Sequence, residues 1–215
     1  YAKLQKVIKK FNPKIVVHFA AESHVDNSIK SPGEFIQSNI LGTYNILRSI
    51  NKKIFLVNIS TDEVYGHVLK NKSFTESTKY NPRSPYSASK ASADHLVSAW
   101  NTTYGYKSTI VNCCNNFGPN QNKEKFIPLI INNILNNKRI PIYGNGKQKR
   151  EWIYVDDFIS SIDFIISKKL YGQNFIIGSG IRFENKIIAK KIIEIFKQKL
   201  GFDEKKIKLV RVTDR

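Results

Sequence analysis

The sequence predicts an α/β fold built around a mainly parallel sheet. Short apolar runs with strand character alternate with longer segments of helical periodicity, which is the pattern of parallel strands joined by helices. The 215 residues are 41% apolar, which is enough for one domain or two small ones with a packed core. Thirteen Phe and ten Tyr exclude a disordered chain.

The first half carries the clearest elements. Residues 15–20 predict a buried strand, and residues 32–50 predict a helix whose apolar side chains recur every three or four positions. Residues 53–60 and 108–114 predict two more strands, with a helix over 84–104 between them. These elements predict the parallel sheet.

The second half, after Pro119, predicts shorter elements. In chain order we expect a helix over 127–136, strands over 140–143 and 152–155, a helix over 156–168 with Asp156 as N-cap, a strand over 175–177, a helix over 185–200 and a strand over 207–212. Since no linker interrupts the chain, we expect two interleaved parts, residues 1–118 and a smaller α/β part over 119–215.

The composition also limits the classes of partner that we expect for this protein. The formal charge of +18 comes mostly from Lys scattered over apparent helix faces, so we interpret it as solvated surface and expect no nucleic-acid partner. No stretch approaches roughly 18 uninterrupted apolar residues, so we expect no membrane partner. Two Cys and the lack of a leader-like start fit a reducing compartment, and we expect a cytoplasmic protein.

Polar chemistry follows three strands at the point where each ends. Ala20 to His24, Ser60 to Glu63, and Asn115-Asn116 occupy these ends. Ligands of parallel α/β sheets bind off the carboxyl ends of the strands, so three such ends predict a site.

Tyr86 and Lys90 are the first catalytic candidates. Their spacing of four places both side chains on one helix face. A Tyr with its usual pKa near 10 is a poor base at neutral pH, and a neighbouring ammonium is expected to lower that pKa. The pair alone occurs by chance in many helices, but the small residues around it favour a bound cofactor.

Thr61, Asp62 and Glu63 are the second candidates. Adjacent carboxylates repel each other, so they gain nothing as a structural pair. In one cleft they can act as a general acid beside a general base, whereas the alternative is a solvated loop or a helix N-cap. Thr61 adds a hydroxyl that can bind a substrate oxygen.

The remaining polar residues are less specific. Gly144-Asn145-Gly146 with Arg150 is either a phosphate contact or a hairpin turn with a solvated Arg. We interpret Cys113 and Cys114 as a buried structural pair, and no metal-ligand spacing appears in the sequence.

Together these motifs resemble the extended short-chain dehydrogenase/reductase superfamily, and within it the nucleoside-diphosphate-glucose 4,6-dehydratases, of which the dTDP-glucose enzymes match best. The resemblance covers essentially the whole chain. The matching segments are HFAAESHV at 18–25, STDEVYG at 60–66, PYSASKAS at 85–92, NNFGP at 115–119, EKFIP at 124–128, PIYG at 141–144, REWIYV at 150–155 and VTDR at 212–215. Asp62-Glu63 is the specific feature, since epimerases of similar fold usually lack it.

The resemblance implies a Rossmann-like doubly wound sheet that is incomplete, an NAD-binding part over 1–118 and a mainly nucleotide-sugar-binding part over 119–215. It implies that Tyr86, assisted by Lys90, removes the glucose 4-hydroxyl proton while hydride leaves C4 for NAD. Glu63 would then remove the C5 hydrogen and Asp62 would protonate the departing 6-hydroxyl. Thr61 would bind the 4-oxygen, and hydride would return to C6, giving the 4-keto-6-deoxy sugar.

The resemblance also implies two binding sets and a partner. The implied NAD set is Ala20, Ala21, Ser23, Ser38, Ser60, Tyr86, Lys90 and Asn116. The implied substrate set is Ser23, Thr61, Asn115, Lys125, Phe126, Pro141, Tyr143, Arg150, Asn185 and Arg215. Relatives pair as homodimers through two helices each, which here would be those near 33–50 and 84–104.

Some features depart from the relatives. They begin with a strand and a Gly-x-x-Gly-x-x-Gly loop that grips the NAD pyrophosphate, whereas this sequence opens at Tyr1 and contains no Met. We therefore expect an interior piece of a longer protein, which on its own binds NAD weakly. Phe117 and Cys114 replace a usual Tyr and Ser. The alternatives left open are a UDP-glucose substrate, an epimerase or decarboxylase on the same fold, and a non-catalytic NAD-binding scaffold.

Overall fold

The computed structural model describes residues 1–68, 73–202 and 207–213. Its helices are α1 Ala2–Phe11, α2 Val25–Lys30, α3 Pro32–Phe35, α4 Gly42–Leu47, α5 Pro85–Tyr104, α6 Phe126–Leu135, α7 Val155–Ser167 and α8 Asn185–Leu200. A π-helical segment, Ile36–Leu41, joins α3 to α4, and a 3₁₀ turn covers Asp62–Tyr65. Its strands are β1 Ile15–His18, β2 Phe55–Thr61, β3 Ser108–Cys113, β4 Asn115–Phe117, β5 Ile140–Tyr143, β6 Lys149–Tyr154, β7 Asn174–Ile177, β8 Arg182–Glu184 and β9 Leu209–Val212.

The principal sheet confirms the predicted α/β class. Its strand order is β1-β2-β3-β7, and every neighbouring pair is parallel. All seven residues of β2 are buried, as expected for a strand covered on both faces. Parallel pairing places the carboxyl ends of β1, β2 and β3 at one edge, where the polar segments begin.

Two compact units make up the chain. The first comprises Tyr1–Cys114 and Ser160–Ile177, and the second comprises Asn115–Ile159 and Gly178–Arg215. The first unit therefore includes Ser160–Ile177 from the second half of the sequence, and it contains the whole four-stranded sheet.

Helix α5 is fixed at both ends by its sequence. Ser84 caps the start, since its side chain accepts from the Ser87 backbone N–H and the Ser87 hydroxyl accepts from that of Ser84. Gly105 ends the helix in the left-handed conformation. Between them α5 packs on β2 and β3 through Val97. The apolar core around it contains Leu47, Ile50, Ile54, Leu56, Val97 and Ile110.

The second unit holds two small sheets of its own. One has the order β4-β6-β8, with β4 and β6 parallel and β6 and β8 antiparallel, and the other pairs β5 with β9 in parallel. Its core lies between α6, α8 and β5. The buried members are Ile130, Ile134, Ile140, Ile142, Ala189, Ile193 and Phe196.

Several elements differ from the sequence prediction. The single helix predicted over 32–50 contains the π segment, and Ile36, one of its periodic apolar residues, is 50% exposed. Asp156 lies inside the first turn of α7, because that helix begins one residue earlier. The turn at 144–146 is no hairpin, since the strands it joins belong to different sheets. Helices α1 and α2 and strands β4 and β8 are further elements that the sequence did not predict.

Gly66 is a position where only glycine fits. Its φ is +80°, and an added Cβ would lie 2.3 Å from the carbonyl oxygen of Asn81. We expect Gly66→Ala to lower the free energy of unfolding by about 1–3 kcal/mol, measured by urea denaturation. Gly33→Ala is the control, since nothing lies within 4 Å of its added Cβ. Equal effects of the two variants would contradict the strain argument.

Candidate active site

The end of β2 places a hydroxyl and two carboxylates together. Thr61 is the last residue of β2, and its Oγ1 accepts from the backbone N–H of Glu63 at 3.3 Å. This cap starts the 3₁₀ turn, so Asp62 and Glu63 occupy its first positions. Both carboxylates are partly exposed, while Thr61 is buried. The pair thus lies at the sheet edge where ligands of such folds bind.

Tyr86 faces the same group from the first turn of α5. The residue is half-buried, and its ring packs edge-on against Phe35 with centroids 6.3 Å apart. Burial raises the pKa of Tyr86, the negative charges of Glu63, Cys113 and Asp62 add to the rise, and a side-chain hydrogen bond with Thr61 opposes it. The phenol is therefore close enough to both carboxylates for their charges to act on it.

Lys90 lies one helical turn after Tyr86. It is 3% exposed, and its Nζ donates to the carbonyl oxygen of Ile59 at 2.7 Å. Burial lowers the pKa of Lys90, and the charge of Asp94 acts against that change. The pKa of Tyr86 is thus raised and not lowered as the sequence suggested, because burial and the two carboxylates act on the phenol while Lys90 is hydrogen-bonded to β2.

The segment after β1 is held against α5 by Asn39. The Nδ2 of Asn39 donates to the Glu22 carbonyl at 3.0 Å and to the Ser89 hydroxyl at 2.8 Å, and its Oδ1 accepts from the Glu22 N–H at 2.8 Å. Ser38 accepts from the same N–H at 3.2 Å. Asn39 lies in the π segment, which is a frequent feature of functional sites. This anchor fixes the loop that carries Ala20, Ala21 and Ser23.

The residues implied to bind NAD differ in how exposed they are to solvent. Ala20 and Ser23 are exposed, and Ala21 and Ser38 are partly exposed, so a ligand can reach them. Ser60 is 4% exposed and its hydroxyl donates to Asp94 at 2.6 Å, so that side chain is directed into the protein. Asn116, in the second unit, accepts at its backbone carbonyl from Gln121 at 2.7 Å.

Cys113 is not the buried structural residue that the sequence suggested. It is partly exposed, and its Sγ donates to the Ser60 carbonyl at 3.3 Å, whereas Cys114 is buried. When ionised, its thiolate raises the pKa of Tyr86 and of Lys90. Residue types at a strand end do not reveal which of two adjacent side chains turns to the site.

Three members of the implied substrate set contact β6 or the residue before it, in the second unit. Asn115 pairs in register with Trp152 and donates to the Glu151 carbonyl at 3.0 Å. Phe126 stacks on Trp152 with centroids 5.8 Å apart. The backbone N–H of Asn185 donates to the Gln148 carbonyl at 3.0 Å. These contacts place an aromatic pair and two asparagines about one strand.

The other members of that set have more scattered positions. Pro141 and Tyr143 lie on β5, and Tyr143 is 39% exposed. Lys125 is partly exposed at the start of α6. Arg150 is exposed and donates to the Lys149 carbonyl at 3.2 Å. Arg215 lies outside the described residues.

His18 forms a buried link between β1 and α4. Its Nε2 lies 3.1 Å from the Thr43 hydroxyl, which itself donates to the Asn39 carbonyl at 2.7 Å, so the imidazole Nε2–H is the donor. Burial and the nearby Lys90 charge lower the pKa of His18 to about 4. The side chain is therefore neutral at neutral pH.

His18 makes the stability of the fold depend on pH. Between the unfolded pKa near 6.5 and the folded pKa of about 4, the unfolded chain binds a proton that the folded chain does not, so acid lowers the free energy of unfolding. Asp94 acts oppositely, since burial raises its pKa to about 6 and the folded chain binds the extra proton. The two effects partly cancel in the wild-type protein.

The variant His18→Gln should reveal the contribution of His18 to this pH dependence. We expect its free energy of unfolding, relative to wild type, to rise by about 2 kcal/mol between pH 7 and pH 4.5, measured by urea denaturation. The exposed His95 provides the control His95→Gln, which should show no such change. A difference from wild type that is the same at both pH values would contradict the assigned pKa of His18.

Within residues 1–68, 73–202 and 207–213, no group of three or more His, Cys, Asp and Glu is placed to hold a metal ion. Among the helices of the same ranges, none is long and apolar enough to cross a membrane.

The chain is similar in sequence to known dehydratases. A dTDP-glucose 4,6-dehydratase from Haemophilus influenzae is 41% identical over 207 residues, which cover 91% of this chain and 61% of that protein. One from Mycobacterium tuberculosis is 46% identical over 183 residues, which cover 84% of this chain and 55% of that protein. The chain thus spans less than two thirds of the length of these relatives.

Solved structures show the same likeness. A dTDP-glucose 4,6-dehydratase from Streptomyces venezuelae, solved with NAD and TYD bound, superposes with a TM-score of 0.90 at 36% identity, covering 100% of this chain and 64% of that chain. A UDP-glucose 4-epimerase from Thermus thermophilus, with a TM-score of 0.89 at 23% identity over 100% of this chain and 70% of that chain, shares the fold. The family model described as GDP-mannose 4,6 dehydratase matches residues 1–214. The chain therefore belongs to the GDP-mannose 4,6 dehydratase family, and within it the resemblance to dTDP-glucose 4,6-dehydratases is confirmed.

Proposed function

We propose that the protein containing this chain is an NAD-dependent hydro-lyase that converts dTDP-glucose to its 4-keto-6-deoxy sugar. The observation that carries the proposal is the meeting of Thr61, Asp62 and Glu63 with the Tyr86 hydroxyl at the end of β2. An oxidation at C4 needs one base, and removal of water across C5 and C6 needs another base and an acid. The cluster supplies each of these groups.

The first unit offers groups that suit NAD. Small side chains follow β1, since Ala20 is exposed and Ala21 partly so. Nδ1 of His24, just beyond them, is buried without a hydrogen-bond partner among the described residues. The hydroxyls of Ser23, Ser38 and Tyr86 supply donors for ribose and amide oxygens. NAD would supply reversible hydride transfer at this edge of the sheet.

Each residue of the cluster has a separate task in the proposed reaction. Tyr86 must be ionised to accept the proton of the sugar 4-hydroxyl, so its raised pKa has to fall when positive charge is placed beside it. Thr61, already hydrogen-bonded to Tyr86, orients the 4-oxygen. Lys90 holds positive charge one turn below the phenol. Once C4 is a ketone, the C5 proton becomes acidic and Glu63 removes it. Asp62 then protonates the 6-oxygen as it leaves as water.

The proposal extends to the second unit and to assembly. The aromatic pair Phe126 and Trp152 and the amides near β6 would contact the nucleotide. We propose a cytoplasmic homodimer that uses α5 and the helical stretch through α4, where Ile36 and Leu41 are 50% and 40% exposed. A monomer in sedimentation at micromolar concentration would contradict that assembly.

The experiment is to incubate the complete natural protein with NAD and either dTDP-glucose or UDP-glucose. We expect a product that has lost one water molecule by mass spectrometry, formed faster from dTDP-glucose. A single methyl group distinguishes the bases and is worth only about 1–3 kcal/mol, so the ratio of kcat/KM decides the nucleotide. A product of unchanged mass would indicate an epimerase, and NAD binding with no turnover would indicate a scaffold.

A further inference from the structure

Asp94 is a buried carboxylate that the proposed reaction does not use. It follows Tyr86 and Lys90 at the same spacing of four on α5, and it is 1% exposed. Its oxygens accept from the Ser60 hydroxyl at 2.6 Å, from Asn58 Nδ2 at 2.9 Å and from the Tyr80 hydroxyl at 3.1 Å. A carboxylate this deep in the protein is costly unless it is well bonded or serves a neighbouring charge.

The hydrogen bonds of Asp94 hold the part of β2 to which Lys90 donates. Asn58 and Ser60 point to the same face of the strand because strand side chains alternate, and both donate to Asp94. The carbonyl between them, that of Ile59, accepts from Lys90 Nζ at 2.7 Å. The next residue is Thr61. One carboxylate therefore fixes the strand segment that carries both the Lys90 acceptor and the Tyr86 partner.

The same carboxylate reaches two more elements. Tyr80, which donates to Asp94, lies in the loop that precedes α5. Asn112 of β3 donates to Asp94 at 3.4 Å. Asn112 also donates to the Thr61 carbonyl at 3.2 Å and accepts from the Tyr65 hydroxyl at 3.2 Å. Strands β2 and β3, the loop and the 3₁₀ turn thus meet at one buried anion.

We propose that Asp94 is a positioning residue that keeps Lys90 in its charged ammonium form and holds it, with Thr61, beneath Tyr86. This inference rests on the proposed function for its kinetic consequences, but not for the state of Lys90. Burial alone would favour a neutral amine, and the charge of Asp94 is the largest effect that opposes it. Lys90 donates to Ile59 rather than to Asp94, so the carboxylate acts on it through space.

Other ionisable groups face this pair and must be kept intact. Tyr80 and Tyr65 lie against Asp94 through the loop and the 3₁₀ turn, and burial together with the Asp94 charge raises the pKa of Tyr65 to about 12. Beyond these residues, His18 and Cys113 interact with Lys90, Glu76 acts on Tyr65, and the His95 ring lies 5.4 Å from that of Tyr80. The test therefore changes Asp94 alone.

The variant Asp94→Asn keeps the side-chain shape and removes the charge. We expect the titration midpoint of Lys90, followed by NMR of 13C-labelled lysine and assigned with Lys90→Arg, to fall by about one pH unit or more. The alkaline limb of the kcat profile of the complete protein should move down equally, which is about a tenfold loss of kcat on that limb. Asp163→Asn removes an exposed carboxylate from α7 and should leave both midpoints in place.

The outcomes separate the two proposals. A folded Asp94→Asn protein with unchanged Lys90 and kcat midpoints overturns the positioning role, whatever its stability. A Lys90 shift in a protein with no dehydratase activity supports the inference and removes the proposed function instead. If Asp94→Asn does not fold, Asp94→Ser removes the same charge with a smaller side chain and should also lower the Lys90 midpoint, and no change there overturns the inference.

Discussion

Replacing Tyr86 by Phe in the complete protein is expected to lower kcat for dTDP-glucose by about 10²–10⁴-fold, the usual contribution of a positioned general base. The phenol is the group of α5 that shares a hydrogen bond with Thr61, and its pKa responds to both carboxylates of the 3₁₀ turn. Phe keeps the packing against Phe35. NAD affinity, measured by titration calorimetry, should therefore change by only a few-fold.

A matched control lies at the other end of the same helix. Tyr104 is 49% exposed, so Tyr104→Phe removes a phenol hydroxyl without touching the cluster. Its kcat should equal that of the wild type. If Tyr86→Phe kept kcat within about threefold of wild type, Tyr86 would not be the base, and the role of the whole cluster would need to be reassigned.

The second large effect is expected from Glu63→Gln. This variant retains Tyr86 and Thr61, so C4 can still be oxidised, but the C5 proton has no base. We expect kcat to fall by about 10²–10⁴-fold while reduced nicotinamide accumulates, visible by its near-ultraviolet absorbance. Glu34→Gln, an exposed change in α3, is the control and should behave as wild type. Full turnover by Glu63→Gln would contradict its role.

The variant Asp62→Asn should stop the reaction one step later than Glu63→Gln does. It keeps the base Glu63, so the C5 proton should exchange with deuterium from heavy water even though water loss is slow. Glu63→Gln should show no such exchange. Mass spectrometry of recovered substrate distinguishes the two variants, and deuterium uptake in both or in neither would contradict the separate roles of the carboxylates.

The features that the sequence predicted depend on local patterns. Strand β2 was predictable because it is a short apolar run that ends in polar residues, and helix α5 because it is a longer segment that follows a proline-containing loop. The carboxylates at 62 and 63 were predictable as site residues because they follow a buried strand. Tyr86 and Lys90 carry a spacing that any helix can produce, so the surrounding small residues were needed to interpret it.

The features that the sequence did not predict depend on contacts between distant segments. Asp94 resembles any polar residue of an amphipathic helix, and its partners come from β2, β3 and the loop at Tyr80. Its spacing from Tyr86 and Lys90 was the available signal. Asn39 owes its role to the loop after β1, and an ordinary helical pattern does not distinguish the π segment around it. Strands β4 and β8, with three residues each, are too short for periodicity to indicate.

The most direct measurement follows one hydrogen through the reaction. The complete protein is incubated with NAD and dTDP-glucose carrying deuterium at C4, and the product is analysed by NMR and mass spectrometry. The proposed chemistry predicts that the deuterium appears at C6 of a 4-keto-6-deoxy product, with no net change in NAD. Deuterium that remains at C4 of an isomer of the substrate would contradict it.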